Sequence, residues 1–418
     1  MKNINLILKE QLLKIKPSYE EVLEIKSKTK NLLSILRAKL KSKKIKAEIF
    51  VGGSVAKNTL IKKEKYDIDL FVRFNSKYKE KEIDKLLKQI LPSEARVLHG
   101  SRDYYVLDGN GVEFEIIPTI KINKPEEARN ITDLSYFHVS YVEKQINKKK
   151  GLEDEIRLAK GFAYYQDCYG AESYINGFSG YALELLLSHY KSFLGFIRAI
   201  AKQDPNKKII IDTAKKYKNA KAITSELNES KLHSPIILVD PTNKERNALA
   251  ALSPKTFAKF QDSCKRFLKK PSDKFFELED IRAKMKKKYG SKLNEIILKT
   301  NKQAGDIGGT KLKKFYYYLE AQISEMFDIK EYHFIYDEQK NQGTIFVVVN
   351  PKKEIIIQGP PIKMKDAVKA FKKEHKKTIV KAGKVCFVKK LNFKFKDYIK
   401  SFSKDKKKII KEMSVSFY

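Results

Sequence analysis

The sequence predicts an α+β multidomain protein: an α/β head over residues 1–147, a helical neck over 148–260, a helical body over 261–332 and a small basic α/β tail over 333–418. Three observations carry this reading. Strand-like runs mix with helical periodicity in the first third; helical periodicity dominates the middle; strand-like runs return after residue 333, where lysine is densest.

The chain has 418 residues, long enough for two to four domains of roughly 100–200 residues each. Its 42% hydrophobic and 11% aromatic content supplies a packed core, so the charge belongs to the surface. A formal net charge of +36, from 87 Lys and Arg against 51 Asp and Glu, implies a polyanionic partner rather than a small neutral metabolite. A general bias toward Lys, Ile and Asn is the plainer explanation of part of that charge. Cys168, Cys264 and Cys386 lie far apart with no Cys-x-x-Cys spacing. That argues against a zinc knuckle or a disulfide framework and suits a reducing, cytoplasmic setting. No apolar run reaches the ~18 residues that span a bilayer, and MKNINLILKEQLLKIKPS is too charged beyond its short apolar stretch for a signal peptide.

In the head, Ser18 with Glu21 forms a capping-box pattern. The apolar positions Val22, Leu23, Ile25, Leu32, Leu33, Ile35, Leu36 and Leu40 then predict one face of a helix running to about Lys43. Strands are expected over 47–51, 67–74, 104–107 and 112–117, with a helix near 81–91. Lys148, Lys149 and Lys150 read as a linker before helices over 153–165 and 180–201. Helices are also expected over 254–268, 280–288 and 312–327, with a turn at Gly305–Gly309. Short strands over 334–336, 344–349, 354–358 and 384–388, with a helix near 365–375, make up the tail. Residues 361–411 hold 19 Lys against 4 acidic residues, which makes this the most basic region.

The chemistry centres on KYDIDLFV. Side chains alternate along a strand, so Asp67 and Asp69 share one face while Ile68, Leu70 and Val72 share the other. Two converging carboxylates repel unless solvated or bridged by a cation, for which a hard ion such as Mg²⁺ is suited. In GVEFEIIP, Glu113 and Glu115 repeat the pattern, and either can supply a third ligand. Two metals on three carboxylates suit one task, bringing a nucleophilic hydroxyl to the α-phosphate of a nucleotide. The turn before the strand fits it: Gly52 and Gly53 allow close backbone approach, Ser54 offers a hydroxyl and an N–H, and Lys57 lies nearby. The segment does not match the Walker pattern, which disfavours a phosphate-loop NTPase.

A Gly-Ser turn, about a dozen residues, Asp-x-Asp on a strand and a third acid on a later strand resemble the DNA polymerase β-like nucleotidyltransferases. Finer features are similar to one branch, the archaeal-type (class I) CCA-adding tRNA nucleotidyltransferases: GSVAKNT (53–59), GVEFEIIP (111–118), Phe137 with His138, RLAKGF (157–162), YGAE (169–172), GFSGY (177–181), VDP (239–241), Arg246 with Asn247, AALS (250–253) and QGPP (358–361). The likeness covers most of the chain, most securely residues 45–255. The Arg-Arg pair and the Glu-Asp-x-x-Arg motif of the bacterial-type (class II) enzymes are not seen.

The resemblance implies a polymerase β-like nucleotidyltransferase head. It implies that Asp67, Asp69 and Glu115 are catalytic and hold two Mg²⁺ ions. It places Gly53, Ser54, Lys57, Ser135, His138, Lys160, Tyr169 and Ser179 around the triphosphate and ribose, with Arg246 reading the base edge beside the RNA. The implied reaction is template-independent addition of C, C and A to the 3′ end of tRNA from CTP and ATP, releasing pyrophosphate. The implied partner is the tRNA acceptor stem and elbow, gripped by the Lys-rich tail, with no membrane and with a homodimer left open. The chain departs from the family at Glu115 and Lys57, where Asp and Arg are usual, at Ser135, where Thr is usual, and at Asn176, where Arg is expected; Ser101 and Arg102 stand where an acid and a His are usual. Taken without the resemblance, His138, Lys160, Tyr169 and Arg246 read as ordinary structural or surface residues, and Phe178 and Tyr181 as core. Two alternatives stay open at this point: another RNA 3′-terminal nucleotidyltransferase, adding poly(A) or uridylyl tails, and an inactive RNA-binding relative.

Overall fold

The structure, a computed structural model, describes residues 3–100, 102–375, 377–390 and 394–418, and the chain divides into two units, Met1–Leu278 and Glu279–Tyr418.

The first unit opens with α1 (Ile4–Ile15) and α2 (Tyr19–Ser42). Ser18 and Glu21 form the expected reciprocal cap on α2, the Ser18 hydroxyl accepting from the Glu21 N–H and the Glu21 carboxylate from the Ser18 N–H. The buried stripe of α2 is Ile25, Thr29, Leu32, Leu36 and Leu40. Leu23 and Ile35, expected on that face, are instead exposed. The 3.6-residue period carries them off the stripe, and Thr29 takes an inner position by donating its hydroxyl to the Ile25 carbonyl.

Then follow β1 (Ala47–Val51), α3 (Gly53–Ala56), β2 (Tyr66–Phe74), α4 (Glu80–Lys88), β3 (Arg96–Leu98), β4 (Tyr104–Asp108) and β5 (Val112–Ile120). The strands form one sheet in the order β1-β2-β5-β4-β3, with β2 and β5 parallel and the other pairs antiparallel. Ile68, Leu70 and Val72 of β2 and Phe114 and Ile116 of β5 are buried in one core with α2 and with Ile83 and Leu87 of α4. That apolar face leaves the acids of both strands on the opposite one.

The helical part of this unit comprises α5 (Ser135–Lys148), α6 (Leu152–Tyr165), α7 (Gly180–Tyr190), α8 (Phe193–Lys202), α9 (Ala220–Glu226), α10 (Glu229–Leu232) and α11 (Pro254–Lys269), with a small sheet of β6 (Ile209–Ile211), β7 (Ile236–Asp240) and β8 (Asn243–Asn247). The helix expected over 180–201 is two helices. Lys191 turns left-handed (φ 66°) and Ser192 caps α8 through its hydroxyl. Phe162 anchors the core edge-on to Phe193, Phe260, Phe267 and Phe276 at 5.5–5.6 Å between centroids.

The second unit holds α12 (Ile281–Tyr289), β9 (Asn294–Thr300), α13 (Asp306–Met326), β10 (Phe327–Asp337), β11 (Gln342–Pro351), β12 (Glu354–Pro361), α14 (Lys365–Glu374), β13 (Thr378–Lys381), β14 (Lys384–Lys390), α15 (Phe395–Asp405), α16 (Lys407–Glu412) and β15 (Val415–Phe417). One sheet runs β10-β11-β9-β15 and a second runs β12-β14-β13. The segment 261–332, expected to be helical throughout, thus contains β9 as an inner strand of the first sheet. Gly305–Gly309, expected as a turn, is the start of α13: Gly305 (φ 84°) precedes the helix and Gly308 lies within its first turn. A Cβ on Gly308 would lie 2.4 Å from Asn341 Oδ1, so the glycine serves close packing there. Among the described residues no helix is long and apolar enough to cross a membrane.

Candidate active site

Asp69 and Glu115 are register partners on the parallel strands β2 and β5, and Asp67 pairs with Glu113 one step along. All four acids share one face. Asp67, Asp69 and Glu115 line a cavity of about 400 Å³ that Gly53, Ser54, Lys57, Lys63, Lys160, Tyr169, Glu172, Ser179, Tyr181 and Glu184 help to enclose. Glu113 is turned to the Lys65 ammonium at 2.8 Å instead, so Glu115 is the acid presented with the two aspartates.

The Gly-Ser turn sits on the acids because its backbone is tied to their strand, Gly52 N–H donating to the Asp69 carbonyl at 2.8 Å. Gly53 has φ 57°, and a Cβ there would lie 1.7 Å from Asp69 Oδ2, so only glycine fits. The start of α7 lines the same cavity. Ser179 caps it by accepting from the Ala182 N–H, which leaves its hydroxyl hydrogen available, and Gly180 and Tyr181 complete that wall.

Burial raises the Asp69 carboxyl above its ordinary range, with Lys57 opposing and Asp67 adding to the shift. Burial, Asp69, Asp67 and Glu113 together push Glu115 up to about 8. Asp69 and Glu115 resist joint ionisation, and such carboxylate oxygens with Asp67 beside them suit a hard divalent cation. As they stand, among the described residues, no three His, Cys, Asp or Glu side chains lie close enough to hold one ion. Asp67 Oδ2 is turned to the Lys63 ammonium at 2.9 Å.

Two lysines expected at the triphosphate are already partnered. Glu184, fully buried on α7, accepts from Lys57 at 2.6 Å, from Lys160 at 2.7 Å and from the Thr59 hydroxyl at 3.0 Å. Lys160 is thus a buried side chain facing the cavity, not the helix-surface lysine its sequence context suggests. One helical turn earlier, the buried Arg157 donates to the Asn58 and Leu60 carbonyls and so pins the segment that carries Thr59. Glu184 was invisible in the sequence because GYALELLL reads as an apolar helix with one stray acid.

Ser135, His138 and Arg246 do not line this cavity. Ser135 begins α5. His138 and Arg246 gather instead around Asp240, a buried carboxylate that accepts from Arg246 at 2.6 Å, from the Tyr181 hydroxyl at 3.0 Å and from the Thr242 N–H and hydroxyl, both at 2.8 Å. His138 Nε2 lies 3.2 Å from Asp240 Oδ2, and its ring stacks on Tyr181 at 4.2 Å between centroids. Burial lowers the His138 pKa, with Asp240 opposing. Burial pushes the Asp240 carboxyl up, but His138 and Arg246 hold it well below the usual range. Tyr181, expected in the core, joins the two clusters: it lines the cavity and donates to Asp240. Phe178 is fully buried, as expected.

Some departures from the family pattern have local causes. Asn176 is left-handed (φ 53°), a conformation that asparagine tolerates, and its carbonyl accepts from the Ser253 N–H at 2.9 Å. Arg102 is ion-paired with the buried Asp133 at 2.6 Å. Ser101 lies outside the described residues.

Comparison with known proteins decides the family. Residues 154–277 match the family described as tRNA nucleotidyltransferase, second domain, and residues 1–149 match the Second Messenger Oligonucleotide or Dinucleotide Synthetase domain. A CCA-adding enzyme of Nanoarchaeum equitans (strain Kin4-M) is 36% identical over 343 residues, covering 79% of this chain and 82% of that one. The chain belongs to the CCA-adding enzymes. A second CCA-adding enzyme, of Methanocaldococcus jannaschii, is 29% identical over 406 residues, 90% of this chain and 85% of that one, so the likeness extends into both units. As a CCA-adding enzyme the chain is a nucleotidyltransferase whose substrates are tRNA and nucleoside triphosphates. The Cid1 poly(U) polymerase, solved with Mg and 3′-dATP, aligns with TM-score 0.53 at 17% identity, over 66% of this chain and 99% of that one. A cytoplasmic RNA terminal U-transferase aligns with TM-score 0.52 at 16% identity, over 67% and 100%. These two share the nucleotidyltransferase fold with the CCA-adding enzymes, and nothing in them favours a poly(A) or uridylyl activity for this chain.

Proposed function

We propose that CTP and ATP bind in the cavity between the acids of β2 and β5 and the start of α7, and that the tRNA 3′-hydroxyl attacks the α-phosphate there. The observation that carries this reading is the in-register convergence of Asp69 and Glu115, with Asp67 beside them, on a cavity that a helix N-terminus also lines. Asp67, Asp69 and Glu115 would hold divalent cations, two Mg²⁺ by preference. Such ions, when bound, supply acidity to the attacking hydroxyl and neutralise charge on the departing pyrophosphate.

The charge inventory supports the same reading. Five acids (Asp67, Asp69, Glu115, Glu172 and Glu184) and three lysines (Lys57, Lys63 and Lys160) line the cavity. A triphosphate entering such a wall needs added positive charge. Ser54 on α3, and the Ser179 hydroxyl with the first N–H groups of α7, line the cavity and would donate to phosphate oxygens. Arg246, held by Asp240 and lying over the Tyr181 ring, would read the base edge, with Ser135 and His138 contributing beside it.

The head, neck, body and tail over 1–147, 148–260, 261–332 and 333–418 divide this work. The first two build the cavity, and the lysines of 361–411 grip the elbow side of tRNA through its backbone. Free, buried Cys168, Cys264 and Cys386 agree with a cytoplasmic setting.

Incorporation of labelled CTP measured against Mg²⁺ concentration tests the metal reading. The rate should rise more steeply than first order before saturating and should vanish with excess chelator; a chelator-insensitive rate would exclude it.

A further inference from the structure

We infer that Glu184 is a positioning residue for nucleotide binding: its buried carboxylate holds the ammoniums of Lys57 and Lys160 as one charged unit beneath the triphosphate end of the cavity. The inference rests on the proposed use of this cavity for CTP and ATP.

The geometry is specific. Lys57 and Thr59 come from the chain between α3 and β2, whereas Lys160 and Glu184 come from α6 and α7, so the carboxylate ties together chain segments more than 120 positions apart. Both oxygens are used: Oε2 takes Lys57, and Oε1 takes Lys160 and Thr59. Thr59 Oγ1 in turn accepts from Lys160 at 2.9 Å, closing a ring of hydrogen bonds. Glu184 and Lys160 are almost fully buried, yet both line the cavity. An ion triad that served only to join the sheet to the helices would have no need to face the substrate cavity.

Electrostatics makes the unit one whose charge depends on Glu184. Burial pushes the Glu184 carboxyl up, but Lys160 and Lys57 overcome this and hold it down to about 2. Burial lowers the Lys160 pKa; Glu184 opposes that lowering, while Lys57 and Arg157, the latter on its own helix, add to it. Removing the Glu184 charge leaves two buried ammoniums facing each other, and Lys160 relieves this by losing its proton. The groups around Lys160 include Lys57 and Thr59 from the α3–β2 segment, Glu184 from α7, Arg157 from α6 and the Tyr169 hydroxyl from the segment before α7.

The test is Glu184→Gln, which keeps size and one acceptor oxygen while removing charge, with Glu184→Gln/Lys160→Met as a second variant. Unfolding followed by circular dichroism establishes that each is folded. Fluorescent-ATP binding and steady-state CTP and ATP incorporation into tRNA are then measured from pH 6 to 9. For Glu184→Gln, KM for both nucleotides should rise about tenfold at pH 8 and recover toward the wild-type value at pH 6, with KM for tRNA unchanged. The double variant should show the raised KM at every pH. A pH-independent loss shared by the tRNA KM, or wild-type behaviour, would overturn the inference. Nucleotide binding by Asp69→Ala equal to that of the wild type would instead overturn the assignment of the cavity.

Discussion

Asp69 and Glu115 stand opposite each other on parallel strands, one step from Asp67, and the strand register alone puts all three acids on the face away from the apolar core. The pairing makes Glu115 the most telling probe of the site. Its carboxyl, raised from the ordinary 4.5 to about 8, favours the protonated form in the folded, metal-free protein. Its contribution to stability is therefore full below about 4.5 and is lost as pH rises through about 8. Chemical denaturation without divalent ions should show stability falling over that window. Glu115→Gln should flatten the slope, and Mg²⁺ should bind more tightly as pH rises because it displaces a proton.

Gly53 is the second probe. With φ 57° and Asp69 Oδ2 only 1.7 Å from the position of a Cβ, Gly53→Ala must displace either the turn or the aspartate. Incorporation should fall by at least tenfold, and stability by about 1–3 kcal/mol from backbone strain alone. A variant with full activity would separate the turn from the acids.

Asp240 is the third. It is fully buried and joins Arg246, Tyr181 and Thr242. Asp240→Ala strands the Arg246 charge and should destabilise by about 3–5 kcal/mol, read by denaturant unfolding. Asp240→Asn should fold and should weaken discrimination between CTP or ATP and the other nucleotides, measured as ratios of kcat/KM.

For the tail, raising salt from about 50 to 200 mM should lower tRNA affinity by orders of magnitude through counterion release. Replacing Lys365, Lys369 and Lys372 of α14 by Gln should reduce the slope of that dependence without changing nucleotide KM. An unchanged slope would place the tRNA contact elsewhere.

Much of the site was legible because period-two alternation and glycine chemistry act locally. Spacing alone put Asp67 with Asp69 on one face of their strand and Glu113 with Glu115 on one face of theirs, the resemblance singled out Glu115, and Gly53 was recognisable as a point of close approach. Long-range pairing leaves no such mark. Glu184 and Asp240 sit in apolar stretches, and only the fold shows that they face Lys57, Lys160, His138 and Arg246. The same limit explains the elements. Ser18 with Glu21 marked its helix start, whereas the break at Lys191 depends on a left-handed residue inside an apolar run that reads as continuous helix. β9 was hidden because its partner β11 lies about 45 positions away.

The most direct test is extension of a tRNA transcript lacking its last three nucleotides, with CTP and ATP given singly and together, by the wild-type protein and by Asp69→Ala. The wild type should add two nucleotides with CTP alone and three with both, and Asp69→Ala should lose at least a hundredfold in rate. Long homopolymer tails from the wild type, or more than about a tenth of the wild-type rate from Asp69→Ala, would contradict the account.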